Sequence, residues 1–235
     1  MEDMPGTSLN PKGLKRKILR LADTLRRQFG VPKLPRQKDI LDALIQTLLS
    51  QGTTDHNRDL AYTKLKKKFP SWEDAANATH SALARAVRSA GLGNQKARTI
   101  HTFLSWLKKE HGALSLEFLH EKTDVEAVDL LTRQNGIGIK TAYVTLMCAA
   151  GRGLFAVDVH IHRISKRLGL IDEKTSPLKA HAVLGPHIPK GRAFELHMNM
   201  LSFGRTICTA RSPKCSQCQF RHMCLYYRVL KTEIS

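Results

Sequence analysis

Residues 134–164 read QNGIGIKTAYVTLMCAAGRGLFAVDVHIHRI, and they open with a Gly-x-Gly turn (Gly136, Gly138) set directly before a helical run. Glycine tolerates the sharp backbone reversal that such a turn needs. The N–H groups of the first helical turn then have no intrahelical acceptor and can face an anion. Lys140 falls in that first turn, and Asp158 follows 18 residues later. A lysine so placed can react beside a bound phosphate. The polyanion that offers phosphates in a row is nucleic acid.

The charge balance agrees. The 235 residues carry 38 Lys and Arg against 20 Asp and Glu, a net charge of +18 with a pI near 10.0. Basic side chains on DNA release condensed counterions, so this excess favours a polyanionic partner. An anionic membrane surface would attract it too, but no apolar run approaches the roughly 20 residues of a spanning helix. Residues 1–10 hold Glu2 and Asp3 and no apolar core, which is unlike a secretory signal. With four of its five cysteines crowded into 208–224, the chain does not look like a secreted disulfide scaffold. A reducing intracellular setting is expected, the nucleoid in a prokaryote or the nucleus in a eukaryote.

The periodicity is helical throughout, and the expected class is all-α. Residues 1–13 mix Pro, Gly, Ser and Asn and read as a disordered tail. Leu14, Ile18, Leu21, Leu25 and Phe29 then mark an amphipathic helix. Residues 39–50 are apolar on most sides and belong at the centre of a core. Further helices are expected to end near Lys68 and to cover 81–90, 95–110, 116–131, 177–187 and 190–204. Phe69 and Trp72 read as core anchors, and Gly91-Leu92-Gly93 as a tight turn presenting one leucine. The stretch 154–159 is extended and apolar, too short and isolated to make a sheet.

Cys208, Cys215, Cys218 and Cys224 are spaced C-x6-C-x2-C-x5-C. Four thiolates in so short a loop can wrap one tetrahedral ion or one cubane cluster. Zinc sites usually pair two C-x2-C knuckles and only one is present, so the spacing suits a [4Fe-4S] cluster better; zinc and disulfides remain the alternatives. Arg205, Arg211, Lys214, Arg221 and Arg228 lie among and beside these cysteines, so a cluster loop would present cations to DNA.

Lys140 and Asp158 can meet. A helix from Lys140 to residue 150 advances about 15 Å, and the next eight residues, if extended, can retrace up to about 23 Å. An amine nucleophile must be unprotonated, and the positive end of a helix together with neighbouring cations lowers its pKa. Asp158 would raise it, so its better role is to stabilise positive charge developing at a sugar C1′ as a base departs. The bland alternatives are a Lys140 that only pairs with phosphate and an Asp158 that only caps the helix beginning at residue 159 or 160.

At LLSQGTTD (48–55), GLGNQKA (91–97), GIGIKTA (136–142), VDVHIHR (157–163) and the four-cysteine terminus, the chain resembles the endonuclease III family of helix-hairpin-helix DNA glycosylases. The resemblance implies a two-lobed helical fold with DNA between the lobes. One lobe is a six-helix barrel over 34–150; the other joins 14–33 to 151–235 and holds the [4Fe-4S] cluster on Cys208, Cys215, Cys218 and Cys224. It implies Lys140 as Schiff-base nucleophile, Asp158 as its acidic partner, and a monomer acting on duplex DNA with a damaged or abasic nucleotide. Leu92 matches the wedge leucine, while Gly136, Gly138 and Thr141 fall at the hairpin's DNA contacts. The gap-filling glutamine of the family aligns with Gly52, so that role is assigned to the adjacent Gln51. Gln134, Asn135, Ile139 and Tyr143 depart from the usual hairpin and bear on substrate range. The expected activity is a bifunctional glycosylase and abasic-site lyase for oxidised pyrimidines. Adenine or mismatch glycosylases of the same fold and a non-catalytic or redox-sensing DNA-binding module are the alternatives.

Overall fold

The computed structural model describes residues 10–34 and 39–234, with 231–234 described by backbone alone. Among these, twelve α-helices follow one another: α1 (Pro11–Phe29), α2 (Ile40–Leu49), α3 (Asp55–Lys68), α4 (Trp72–Ala76), α5 (His80–Val87), α6 (Gly93–His111), α7 (Asp124–Thr132), α8 (Ile139–Ala149), α9 (Val159–Arg167), α10 (Pro177–Leu184), α11 (Ala193–Thr206) and α12 (Leu225–Ile234). Single turns of 3-10 helix fill several of the connections, and no strand occurs among the described residues. The chain divides into two compact units, Pro35–Arg152 and Met1–Leu34 with Gly153–Ser235.

The first unit is built around α2. Its Ile40, Leu41, Leu44, Ile45, Leu48 and Leu49 are each at most 1% exposed, so the helix is buried on nearly every side. Burial of each such side chain stabilises by roughly 1.5–3 kcal/mol, which offsets the ordering of the surrounding helices. Asp39 begins α2 by accepting the Asp42 N–H at 2.9 Å, and α3, α6 and α8 pack on it. Trp72 and Phe69 are buried as expected. Trp72 also opens α4, a helix too short to show a period, which a reciprocal Ser71–Asp74 capping box holds. The unit runs past the expected limit at 150, because Arg152 turns back on it. Its guanidinium donates to the Asp124 carboxylate at 2.7 Å and to the carbonyls of Leu119 and Lys122.

In the second unit, α1 lays Leu14, Ile18, Leu21 and Leu25 against a core that takes Ile161 and Ile164 from α9 and Leu196, Met200 and Phe203 from α11. The helix starts earlier than its apolar pattern. Asn10 accepts the Gly13 N–H at 2.7 Å, and Pro11 occupies the first helical position, where no N–H is needed. The disordered tail expected over 1–13 is therefore corrected at 10–13; residues 1–9 lie outside the described residues. C-terminal α12 has no counterpart among the expected helices.

A charge network joins α1 to α11. Glu195, 6% exposed, accepts from Arg26 (2.5 Å) and from Arg192 (2.9 Å), and Arg192 also donates to Asp23 at 2.5 Å. Burial alone would push the Glu195 carboxyl up, but the two guanidinium groups outweigh it and the net shift is downward. That contribution is present above the usual glutamate pKa and lost as pH falls through the lowered one. Glu195→Ala is expected to destabilise by about 2–3 kcal/mol in urea unfolding, less than a fully buried pair because Arg26 is half exposed.

Candidate functional site

In the first unit the glycine turn forms as its residues dictate. Gly136 takes φ +85°, and an added Cβ there would stand 2.5 Å from Thr99 Oγ1 and 2.7 Å from Thr99 Cγ2, both on α6. Ile137, between the glycines, is buried and anchors the loop. Gly138 then starts α8 without a side-chain cap, whereas most of the helices place an Asn, Asp, Ser or Thr there. No side chain caps the head of α8, and Lys140, half-buried, is its second residue.

Gln51, just beyond α2, reaches this hairpin. Its amide donates to Thr141 Oγ1 at 3.2 Å and, more weakly, to the Gly136 carbonyl at 3.4 Å. Three motifs distant in sequence, at 51, 99 and 136–141, therefore share one corner of the unit. Two of the residues expected at DNA contacts take part in this corner. Thr141 is 3% exposed and its hydroxyl is turned inward, so any contact it makes with DNA is through its backbone. Gln51 here braces the hairpin. Leu92, by contrast, stands out at 62% exposed, in a left-handed conformation (φ 51°, ψ 35°) at the start of α6.

In the second unit, Asp158 is the N-cap of α9, its Oδ1 accepting the Ile161 N–H at 2.9 Å. The capping role weighed from the sequence is real, and it fixes the carboxylate at the positive end of a helix. The extended segment before it is held by two imidazoles that the sequence reading did not single out. His181 Nε2 accepts the Val157 N–H at 3.0 Å while its Nδ1–H donates to the Pro177 carbonyl at 2.8 Å; His197 Nδ1 donates to the Ala156 carbonyl at 2.9 Å. Both rings are 4% exposed. Each sits in an apolar helical pattern, which marks a buried histidine without revealing its partner.

The four clustered cysteines line one cavity with about 350 Å³ of empty space, solvent at its mouth included. No three His, Cys, Asp or Glu among the described residues gather closely enough to grip a single ion. Arg167 donates to Cys208 Sγ and the Phe220 N–H to Cys218 Sγ, both at 3.4 Å, as suits sulfurs that carry negative charge. Burial pushes the Cys218 thiol up to about 11 and raises Cys215 and Cys224; a cluster bound there would hold these cysteines as thiolates. Arg163 and Arg167 of α9 bind the carbonyls of Gly204, Cys208, Thr209 and Ala210, tying the cysteine loop to the helix that Asp158 begins.

Two outcomes follow. Gly136→Ala meets both a positive φ and the Thr99 side chain, and is expected to cost about 2–4 kcal/mol. Thr99→Ala in the same chain should recover only the steric part, read as a partial return of the urea midpoint. Burial lowers the His181 pKa, so its folded form resists protonation. Its contribution is full above the usual imidazole value of about 6.5 and is lost as pH falls below it. Between pH 7 and 5 the melting temperature of His181→Asn should therefore fall less steeply than that of the wild type.

Residues 45–187 match the profile of the HhH-GPD superfamily of base excision DNA repair proteins, and residues 208–224 that of the iron-sulfur binding domain of endonuclease III. Endonuclease III of Thermotoga maritima is 30% identical over 84% of this chain and 88% of its own length. An Arabidopsis thaliana protein named as a DNA glycosylase is 34% identical over 74% of this chain, which spans 59% of that protein. A solved structure of a non-covalent endonuclease III–DNA complex is 29% identical and superposes with a TM-score of 0.80 over 93% of this chain and 98% of its own. The uncapped glycine hairpin, the lysine behind it and the cysteine cavity thus have one setting in common: the chain belongs to the HhH-GPD superfamily of base excision DNA repair glycosylases, in its endonuclease III branch with a [4Fe-4S] cluster.

Proposed function

We propose that this glycosylase is bifunctional, removing oxidised pyrimidines from duplex DNA and cutting the strand at the resulting abasic site. The observation that carries the proposal is Lys140 as the second residue of a helix that opens on a Gly-x-Gly turn, with Gly138 at its N-cap. Phosphate bound at that helix head would hold the sugar beside the amine. Unprotonated Lys140 Nζ attacks C1′ as the C1′–base bond breaks, and the departing base takes up one of the amine's protons; the C1′–O4′ bond then opens, O4′ taking a proton from water, to leave an iminium between C1′ and Lys140. The iminium acidifies C2′–H; loss of that proton breaks the C3′–O bond and expels the 3′ phosphate. Asp158, fixed by its cap bond, offsets the positive charge that develops at C1′. Extrusion of the damaged nucleotide leaves a gap that Leu92 and Gln51 enter, Gln51 first releasing Thr141.

Cys208, Cys215, Cys218 and Cys224 hold the [4Fe-4S] cluster, which supplies a rigid staple for a loop that carries Arg211, Lys214 and Arg221 toward DNA. The active species is a monomer.

Borohydride trapping on duplexes carrying thymine glycol or an abasic site tests this reading. Wild type should give a covalent adduct on both, and Lys140→Ala on neither. Asp158→Asn is the sharper companion, since Asn caps a helix as well as Asp does. It should keep the melting temperature and lose at least about a hundredfold in trapping rate. Trapping only on the abasic duplex would remove thymine glycol from the substrate range. Tight DNA binding with no adduct on either duplex would replace the enzyme with a cluster-bearing binding module.

A further inference from the structure

Lys96 is buried, with 4% of its surface exposed. Lysine is seldom found so deep without a carboxylate, yet the acceptors of Lys96 are two main-chain carbonyls. Its Nζ donates to the Leu49 oxygen at 2.8 Å and to the Ala90 oxygen at 2.8 Å. Leu49 is the last residue of α2, and Ala90 the last of the 3-10 turn Arg88–Ala90. Both are helix ends, where carbonyls lack intrahelical donors and the dipole is negative, so a single ammonium satisfies two such ends at once.

What lies just past each clamped carbonyl gives the arrangement its meaning. Gln51 is two residues beyond Leu49, and Leu92 is two residues beyond Ala90. Leu92 is the one non-glycine residue with positive φ among the described residues. A leucine in the left-handed region is strained by roughly 1–2 kcal/mol, and persists only where its surroundings over-determine it. Lys96 supplies part of that constraint twice. Its own N–H donates to the Leu92 carbonyl at 2.9 Å, while its side chain fixes the residue at which the turn departs. Burial lowers the Lys96 pKa, in keeping with an ammonium cut off from water.

We propose that Lys96 is a positioning residue for DNA distortion: its buried ammonium locks the two turns that carry Gln51 and Leu92, so that the backbone from which both side chains enter the gap left by an extruded nucleotide is set before binding. The inference rests on the insertion role given to those two residues above. Turns held in place before binding lose little freedom when their side chains enter the duplex, whereas slack turns must be ordered at that moment. The cost of losing the clamp therefore falls on lesion recognition. Phosphate contacts, which every duplex offers alike, are spared.

The test compares full-length, cluster-loaded wild type with Lys96→Met, which keeps the apolar stem and removes the donors. Affinity is measured at one fixed salt for a duplex with a tetrahydrofuran abasic analogue and for the same duplex undamaged. Borohydride trapping is measured on an abasic single strand, which needs no insertion. Lys96→Met should reduce the preference for the abasic duplex by about ten- to a hundredfold. Its affinity for undamaged duplex and its single-strand trapping should stay within about twofold. In a Leu92→Gly, Gln51→Ala background the same substitution should bring little further loss, because the clamp acts through those residues. Lys96→Gln, with donors on a shorter stem, enters the same assays if the methionine variant is too unstable to purify. An unchanged preference in the folded variant overturns the proposal. So does an equal loss in all three assays, or full additivity with the double substitution. A wild type that traps on no abasic substrate would instead overturn the proposed lyase, and the two failures are thereby distinct.

Discussion

Each helix begins with N–H groups and ends with carbonyls that its own ladder cannot satisfy, and a chain built almost wholly of helices meets that demand at every connection. Here most starts are met by a short polar side chain, from Asn10 to Ser176. Leu92, Gly138 and Arg192 are the exceptions, at the starts of α6, α8 and α11. At the carbonyl ends the chain spends long cations. Lys96 closes the ends of α2 and a 3-10 turn, and Arg163 takes the Gly204 carbonyl within α11 along with that of Cys208 beyond it.

The two units solve different packing problems around this rule. In one, α2 is enclosed on all sides and its far end is fixed, so Gln51, the hairpin and the Leu92 turn are all referred to a single rigid element. In the other, α9 does double duty. Its first residues hang from Asp158, and the arginines of its later turns grip the cysteine loop. The backbone leading into Asp158 rests on His181 and His197, so the chain that carries the carboxylate is held by buried hydrogen bonds.

How much of this was legible in the sequence follows from the kind of signal each feature leaves. An all-round apolar run such as α2 is readable from composition and period, and so is the amphipathic face of α1. The cysteine spacing and the Gly-x-Gly-x-Lys order survive translation into structure because both are local. Pro11 extends α1 beyond its apolar pattern, since capping is decided by one side chain and not by periodicity. Short α4 escapes for the opposite reason, having too few turns to show a face at all. Thr141 and Gln51 were assigned outward roles, yet they face one another, because pairing across ninety residues has no trace in either neighbourhood. Lys96 did leave a trace, a charge on the stripe formed by Ile100, Phe103 and Leu107, but nothing in the stripe names two carbonyls as its partners.

The bond between Arg26 and Glu195 spans 169 residues of sequence. On a ribosome, the unit over Pro35–Arg152 is continuous and can close as soon as its last helix emerges. Helix α1 is made first but finishes last. It must wait, amphipathic and unpartnered, until α9 and α11 have been synthesised behind a complete neighbour. Closing so long a loop adds little entropy per further residue, so the delay is one of time more than of free energy. The order of synthesis completes the glycine hairpin before the part that carries Asp158 and the iron-sulfur cluster.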